Sequence, residues 1–156
     1  MNYNYGKRGI LQVDGARITF KNFAGRAERY NREGDRSFAL IIPNEEIANE
    51  LIADGWNVKI KPPRMEGDAP FMYMNIKVKY GRGDIDAYLI SGDRRIQLDS
   101  ESIGCLDTMN LASVDLDIRP WDHPSGEYAR SAYLQSIEAT QAINRFDARW
   151  NSRNEE

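Results

Sequence analysis

The sequence predicts a mainly β chain: a closed or partly open barrel of short antiparallel strands with one clear helix, at about residues 44–54. Three observations predict it. Apolar residues alternate with polar ones in several short stretches, which is the period of a strand with one buried face. Gly, Pro, Asn and Asp separate these stretches at short intervals, as turns do. Only one segment combines helical spacing with both a start and a stop signal.

In order, "ARITFKNF" at 16–23 alternates, with Ile18 and Phe20 inward and Arg17, Lys21 and Phe23 outward. The polar segment "AGRAERYNREGD" then leads to a strand at 36–42, "RSFALII". In "PNEEIANELIADG", Asn44 caps, Glu45 and Glu46 suit the positive helix N-terminus and Gly55 suits the stop. Ile47, Ala48, Leu51 and Ile52 supply its apolar face. In "WNVKI", Trp56, Val58 and Ile60 point inward, and Asn57, Lys59 and Lys61 outward. "FMYMNIKVKY" at 71–80 follows, and "GRG" predicts a hairpin that returns "DIDAYLI" along it. "SGDR" marks a second hairpin into "RIQL", and "SESIGCLDTMNL" holds a helical turn. "SVDLDIRPW" places Val114, Leu116 and Ile118 inward, and a last strand lies near "ARSAYLQSIEAT". Seven or eight closely spaced strands favour an OB-fold-like barrel, which closes its edges and leaves one curved face for a ligand. Residues 1–140 form this single domain, and 141–156 are a short polar tail, helical or frayed.

At 156 residues the chain is long enough for one real core, and 41% hydrophobic with 29% charged residues is ordinary for a soluble protein. No run reaches the roughly 18 apolar residues of a membrane span. "MNYNYGKRGI" lacks the apolar segment of a signal peptide, and the single Cys105 fits a reducing compartment, so the cytoplasm is the expected location. Net charge is −3, yet Met1–Arg36 holds eight Lys and Arg against four acids, while Asp99–Ile118 holds five acids and no base. Such segregation lets one face meet a polyanion while another stays acidic.

With one histidine, His123, and one cysteine, Cys105, no zinc site with N and S ligands can form. A Cys105–His123 nucleophilic pair is formally open, but a small buried thiol and a loop histidine describe them better. Asp84 with Asp86 and Asp115 with Asp117 each share a strand face, the arrangement of a Mg²⁺-dependent nuclease; the solvated face of a strand is the simpler reading. No phosphate-binding glycine loop ends in Gly-Lys-Ser/Thr. No cofactor or metal is expected, and no catalysis.

The strand at 71–80 carries the sharper signal. Met72, Met74, Ile76, Val78 and Tyr80 form a core face, whereas Phe71, Tyr73, Asn75, Lys77 and Lys79 set two rings and two ammonium groups in one row. Aromatic and basic residues also interleave in "FKNFAGRAERYNREGDRSF" and "WNVKIKPPR", where Phe20, Phe38 and Trp56 read as core aromatics. Single-stranded nucleic acid needs this chemistry, because bases stack on rings and phosphates attract Lys and Arg.

"FKNFAGRAERYNREGDRSFALII", "DGWNVK", "LDTMNLASVDLDIRPW" and "ARSAYLQSIEAT", in this order, resemble the small single-stranded DNA-binding proteins of tailed bacteriophages, from about Ile18 to Thr140. The resemblance implies an OB-fold core that coats and protects single strands in replication or recombination. It does not supply contact residues. Face and charge select Phe71 and Tyr73 as stacking platforms, Lys59, Lys61, Lys77 and Lys79 as phosphate contacts, and Arg26, Arg29, Tyr30, Arg32 and Arg36 as a mobile clamp that orders on binding. The expected partner is single-stranded DNA, with replication or recombination proteins beside it and no membrane; an oligomer is compatible with the sequence. The end "RWNSRNEE" departs from the acidic tail and terminal aromatic by which bacterial-type single-strand binders recruit partners. The rival readings are the nuclease and a protein-binding adaptor module.

Overall fold

The computed structural model describes residues 1–81 and 83–143. Among them the strands are β1 Asn2–Tyr5, β2 Leu11–Asn22, β3 Arg36–Ile41, β4 Val58–Lys61, β5 Phe71–Val78, β6 Asp86–Ser91, β7 Arg94–Leu98, β8 Leu111–Trp121 and β9 Ser131–Gln141. One helix, α1 at Glu45–Ala53, separates β3 from β4, and short 3-10 turns lie at Lys7–Gly9 and Ile103–Asp107. The expected tail lies almost wholly outside the described residues.

Five strands close a ring. β2 pairs with β3 and β8, β3 with β5, β5 with β9, and β9 with β8. Its interior is packed with Leu11, Val13, Phe38, Leu40, Met74, Ile76, Leu116, Ile118 and Ile137. The mainly β, OB-like expectation is met, but the strands are not uniformly short or antiparallel. β2 runs 12 residues, and β9 lies parallel to both β5 and β6. The hairpin expected at 81–83 does not return along β5. One edge of β5 is taken by β3 and the other by β4 and β9, so β6 pairs with β9 and β7 instead. The hairpin expected at "SGDR" is present, with Ser91 opposite Arg94 and Gly92 at φ 65°.

β2 holds the main departure from simple alternation. Between Val13 and Ala16 it spends one residue more than β8, and between Thr19 and Asn22 one more than β3. Each bulge reverses which residues face the core and sharpens the strand's bend. Leu11 and Val13 are buried before the first bulge, Ala16 after it, and Phe23 after the second. Phe20, expected inward, sits in the second bulge at φ 49° and is 61% exposed; Phe23, expected outward, is buried and stacks on Phe38 with ring centres 4.9 Å apart.

Ile60 was also expected inward and is 52% exposed, because β4 ends the sheet with only β5 beside it. Helix α1 starts as its sequence dictates: the Asn44 side chain accepts from Ile47 N at 2.9 Å. Ala48 and Leu51 are buried, whereas Ile52 is exposed. β1, which period-two reading did not single out, ties the N-terminus to this helix. Tyr3 donates to Glu50, Tyr5 donates to Asp54 at 2.6 Å, and the buried Trp56 indole donates to Tyr5 Oη at 2.9 Å.

Two outcomes follow from this packing. Met74→Ala removes a fully enclosed side chain from the ring interior and is expected to cost about 2–5 kcal/mol in urea unfolding. The second concerns alkaline pH. The hydrogen bond to Glu50 pushes the Tyr3 phenol up to about 12, and burial followed by the bond to Asp54 raises Tyr5. Unfolded tyrosine ionises near about 10, so the Tyr3 contribution is complete below that pH and is lost as pH rises to about 12. Phenolate absorbance is expected to show a late step that Tyr3→Phe removes, and the variant is expected to lose less stability across that window.

Candidate nucleic-acid interface

On β5 the alternation is clean. Met72, Met74, Ile76 and Val78 are buried, while Phe71, Tyr73, Asn75 and Lys77 stand on the outer face. Directly opposed residues of paired strands share a face, so Lys59 on β4 joins Tyr73 and Lys61 joins Phe71. The Phe71 and Tyr73 rings stack at 5.3 Å with 27° between their planes. Phe20 meets both edge-on at 6.0 Å, delivered there by the bulge in β2. The Lys61 ammonium lies 5.7 Å from the centre of the Phe20 ring and 5.6 Å from that of Tyr73. The result is a surface cluster of three rings with a cation above it.

The other end of β5 is polar and cationic. Lys77 opposes Tyr133 on β9 and Ser37 on β3, with its ammonium 5.7 Å from the Tyr133 ring centre. Arg119 of β8 approaches the same ring at 5.7 Å. Between this end and the β2–β3 connection runs an open groove of about 750 Å³, lined by Asn31, Asp35, Arg36, Ser37, Asn75, Lys77, Lys79 and Tyr80 among others.

The arginine-rich connection has an organised path. Asn22, a buried polar side chain, donates to Arg26 O at 3.0 Å and accepts from Arg26 N at 2.9 Å. Asn31 Nδ2 donates to the carbonyls of Arg26, Arg32 and Asp35, and Gly34 N donates to Gly25 O at 2.7 Å. Asp107 receives Phe23 N at 2.6 Å and Ala24 N at 3.1 Å. A Cβ on Gly104 would lie 2.9 Å from Ala24 Cβ, so glycine permits this approach. Arg36 donates to Phe23 O at 3.1 Å and Ser100 O at 2.8 Å, and its guanidinium lies 5.1 Å from the Tyr80 ring centre. Arg26 is shared between Glu28 and Asp107. Arg29 and Arg32 are exposed, and Arg29 covers Tyr30, itself almost fully exposed.

The selected residues thus fall into three places. Phe71, Tyr73, Lys59 and Lys61 come together around Phe20; Lys77, Lys79 and Arg36 line the groove; Arg26, Arg29, Tyr30 and Arg32 belong to the connection beside it. Sequence reading missed Phe20, because an unannounced extra residue in β2 reverses its side. Tyr133 and Arg119 were missed because their nearness to Lys77 depends on the parallel β5–β9 pairing.

The carboxylates lie elsewhere. Asp86 and Asp117 both oppose Ser136, and Asp115 opposes Glu138, on the outer face of β6, β8 and β9. Asp115 accepts from Gly15 N at 2.9 Å, and Glu138 is 3.5 Å from Arg95. Among the described residues no three His, Cys, Asp or Glu side chains are grouped as a metal ion requires. Cys105, expected to be buried, is exposed in the 3-10 turn, and His123 lies in the β8–β9 connection; partial desolvation first, Asp107 second, push the Cys105 thiol up and away from a reactive thiolate. Among the described residues no helix is long and apolar enough to cross a membrane.

Comparison with solved structures finds the single-stranded DNA-binding protein of bacteriophage Enc34 in two forms. The form in complex with ssDNA is 18% identical, with 93% of each chain covered and a TM-score of 0.55. A C-terminally truncated form is 17% identical, with 92% of each chain covered and a TM-score of 0.54. At these identities the likeness establishes the fold. No curated protein matches the chain. The model of the family described as "Putative phage ssDNA-binding domain" matches residues 2–152, nearly the whole sequence. The chain belongs to this family of phage ssDNA-binding domains.

Proposed function

We propose that the chain binds single-stranded DNA across the outer face of β3, β4 and β5 and protects it during phage DNA replication or recombination, in the host cytoplasm and without catalysis. One observation carries the reading: three clustered rings, the exposed Phe20 and the half-buried Phe71 and Tyr73, share a face with Lys59, Lys61 and Lys77, with Lys79 just beyond the end of β5. Rings accept the faces of unpaired bases whatever their identity, and a line of ammonium groups follows phosphates. A duplex hides those base faces, so the arrangement favours single strands. Residues 1–140 serve as the binding unit. The β2–β3 connection lies along the groove, where Arg26, Arg29, Tyr30 and Arg32 reach a strand and Arg36 adds charge from a fixed position. Replication or recombination proteins and further copies of the chain are its expected company.

Fluorescence anisotropy with labelled single-stranded DNA, duplex DNA and RNA tests the reading, with preference for the single strand expected. Equal affinity for the duplex would sink it, and shortening of labelled strands on addition of Mg²⁺ would revive the nuclease. Tyr73→Ala and Phe20→Ala are each expected to weaken single-strand binding by about 1–3 kcal/mol while circular dichroism and melting stay near wild type. A second outcome concerns salt. Binding to single strands loses about 0.7 in the slope of log affinity against log salt per phosphate neutralised. With the four lysines engaged the slope is expected to be roughly −3, and the Lys77→Gln, Lys79→Gln double variant is expected to make it shallower by about 1.4 for every base sequence. An unchanged slope would remove those two lysines from the phosphate path.

A further inference from the structure

A second group of exposed rings lies apart from Phe20, Phe71 and Tyr73. Trp121, the last residue of β8, is 41% exposed, and Tyr128 in the β8–β9 connection is 67% exposed. His123 stands between them, 5.5 Å from the Trp121 ring centre and 4.9 Å from that of Tyr128. The connection that carries them is built. His123 Nδ1 and Ser125 Oγ are hydrogen-bonded at 2.8 Å, Arg130 binds Asp122 at 2.7 and 3.2 Å, and Arg130 N donates to Gly55 O at 2.8 Å.

The side of the sheet is fixed by register. Ile118 is in the core, so alternation sends Arg119 and Trp121 outward. Arg119 opposes Tyr133, and Tyr133 opposes Lys77. Trp121 therefore stands on the same outer face as the lysines of β5. Cations are close by. Lys7 and Arg8 are exposed at the tip of the β1–β2 connection, where Arg8 holds the left-handed φ of 60°. A Cβ on Gly9 would lie 3.7 Å from Pro120 Cγ, so this tip abuts the residue before Trp121. Of the nearby acids, Asp122 is neutralised by Arg130 and Glu127 is exposed.

We propose that Trp121, supported by His123 and Tyr128, is a second base-stacking platform for single-stranded nucleic acid, with Lys7 and Arg8 beside it for phosphate. A strand lying on the β5 face meets it only when long enough to cross onto β8 and β9. This inference rests on the function proposed above, and it adds a length dependence which that reading alone does not contain.

Tryptophan emission tests it in the full chain. Trp56 is buried, and Trp150→Phe removes the tryptophan beyond the described residues, so Trp121 supplies the solvent-accessible signal. Oligo-dT is titrated at lengths from about 4 to 16 nucleotides, the range of site sizes for one such domain. Long strands are expected to quench this emission and shield it from iodide. Trp121→Ala is expected to weaken binding of the longest strand about tenfold or more while leaving the shortest unchanged, and Trp121→Tyr is expected to restore it. Tyr128→Ala, in an exposed connection where folding is not at risk, is expected to show the same length dependence. The inference is overturned if long strands bind Trp121→Ala and Tyr128→Ala like wild type and leave Trp121 open to iodide. It is equally overturned if Trp121 becomes shielded with protein concentration in the absence of DNA, which would make the rings a contact between copies. Failure of the wild type to bind any oligonucleotide would instead defeat the function itself.

Discussion

The structure depends on β2 bending far enough to pair with β3 on one side and β8 on the other. A regular 12-residue strand would keep one parity throughout and twist smoothly. Two bulges reset the inward-facing parity, to Leu11 and Val13, then Ala16 and the partly buried Ile18, then Phe23 just past the end of β2. Gly15, at φ 65°, occupies the first bulge without strain, and its N–H is taken by Asp115 rather than by the ladder. The second bulge has no glycine. Phe20 holds φ 49° there, a conformation uncommon for a side chain of its size, and its ring packs on Phe71 and Tyr73 outside the core. The device that closes the ring thus also completes the aromatic surface, and local strain coincides with the candidate site.

Charge is organised by face rather than by total. The outer face of β4 and β5 carries Lys59, Lys61 and Lys77, while the outer face of β6, β8 and β9 carries Asp86, Asp115, Asp117 and Glu138. Exposed charges are screened over roughly 8 Å at physiological salt, so a strand on the basic face responds mainly to its immediate neighbours. A net charge of −3 is therefore compatible with polyanion binding.

The β2–β3 connection is ordered by polar contacts rather than by apolar packing. Its composition is polar and it contributes few apolar contacts, which reads as an unanchored segment. Its order comes instead from side chains standing in for a ladder: Asn22 and Asn31 bind the carbonyls that turn the chain, and Asp107 caps two consecutive backbone N–H groups. Amide and carboxylate partners of this kind satisfy backbone groups that a hydrophobic anchor cannot. They fix the path of the connection beside the groove, which Arg36 lines.

Much of this was legible in the residues themselves. Asn44, Glu45 and Gly55 specify the helix because capping and chain reversal are local events. "FMYMNIKVKY" specifies which side of β5 is core and which faces outward, since alternation needs no partner to be read. The outward placement of Phe71, Tyr73, Lys77 and Lys79 follows from that alone, and that of Lys59 and Lys61 from the same alternation in "WNVKIK". Tertiary structure decided the rest. A bulge is an extra residue relative to a partner strand, so neither the exposure of Phe20 nor the burial of Phe23 exists until β2 meets β3. The occupied edges of β5 forced β6 onto β9, and the parallel β5–β9 pairing brought Tyr133 and Arg119 beside Lys77. Sequence determines what each strand offers on its two faces; which offers meet is settled by register and edge occupancy, which are properties of pairs of strands and not of any one.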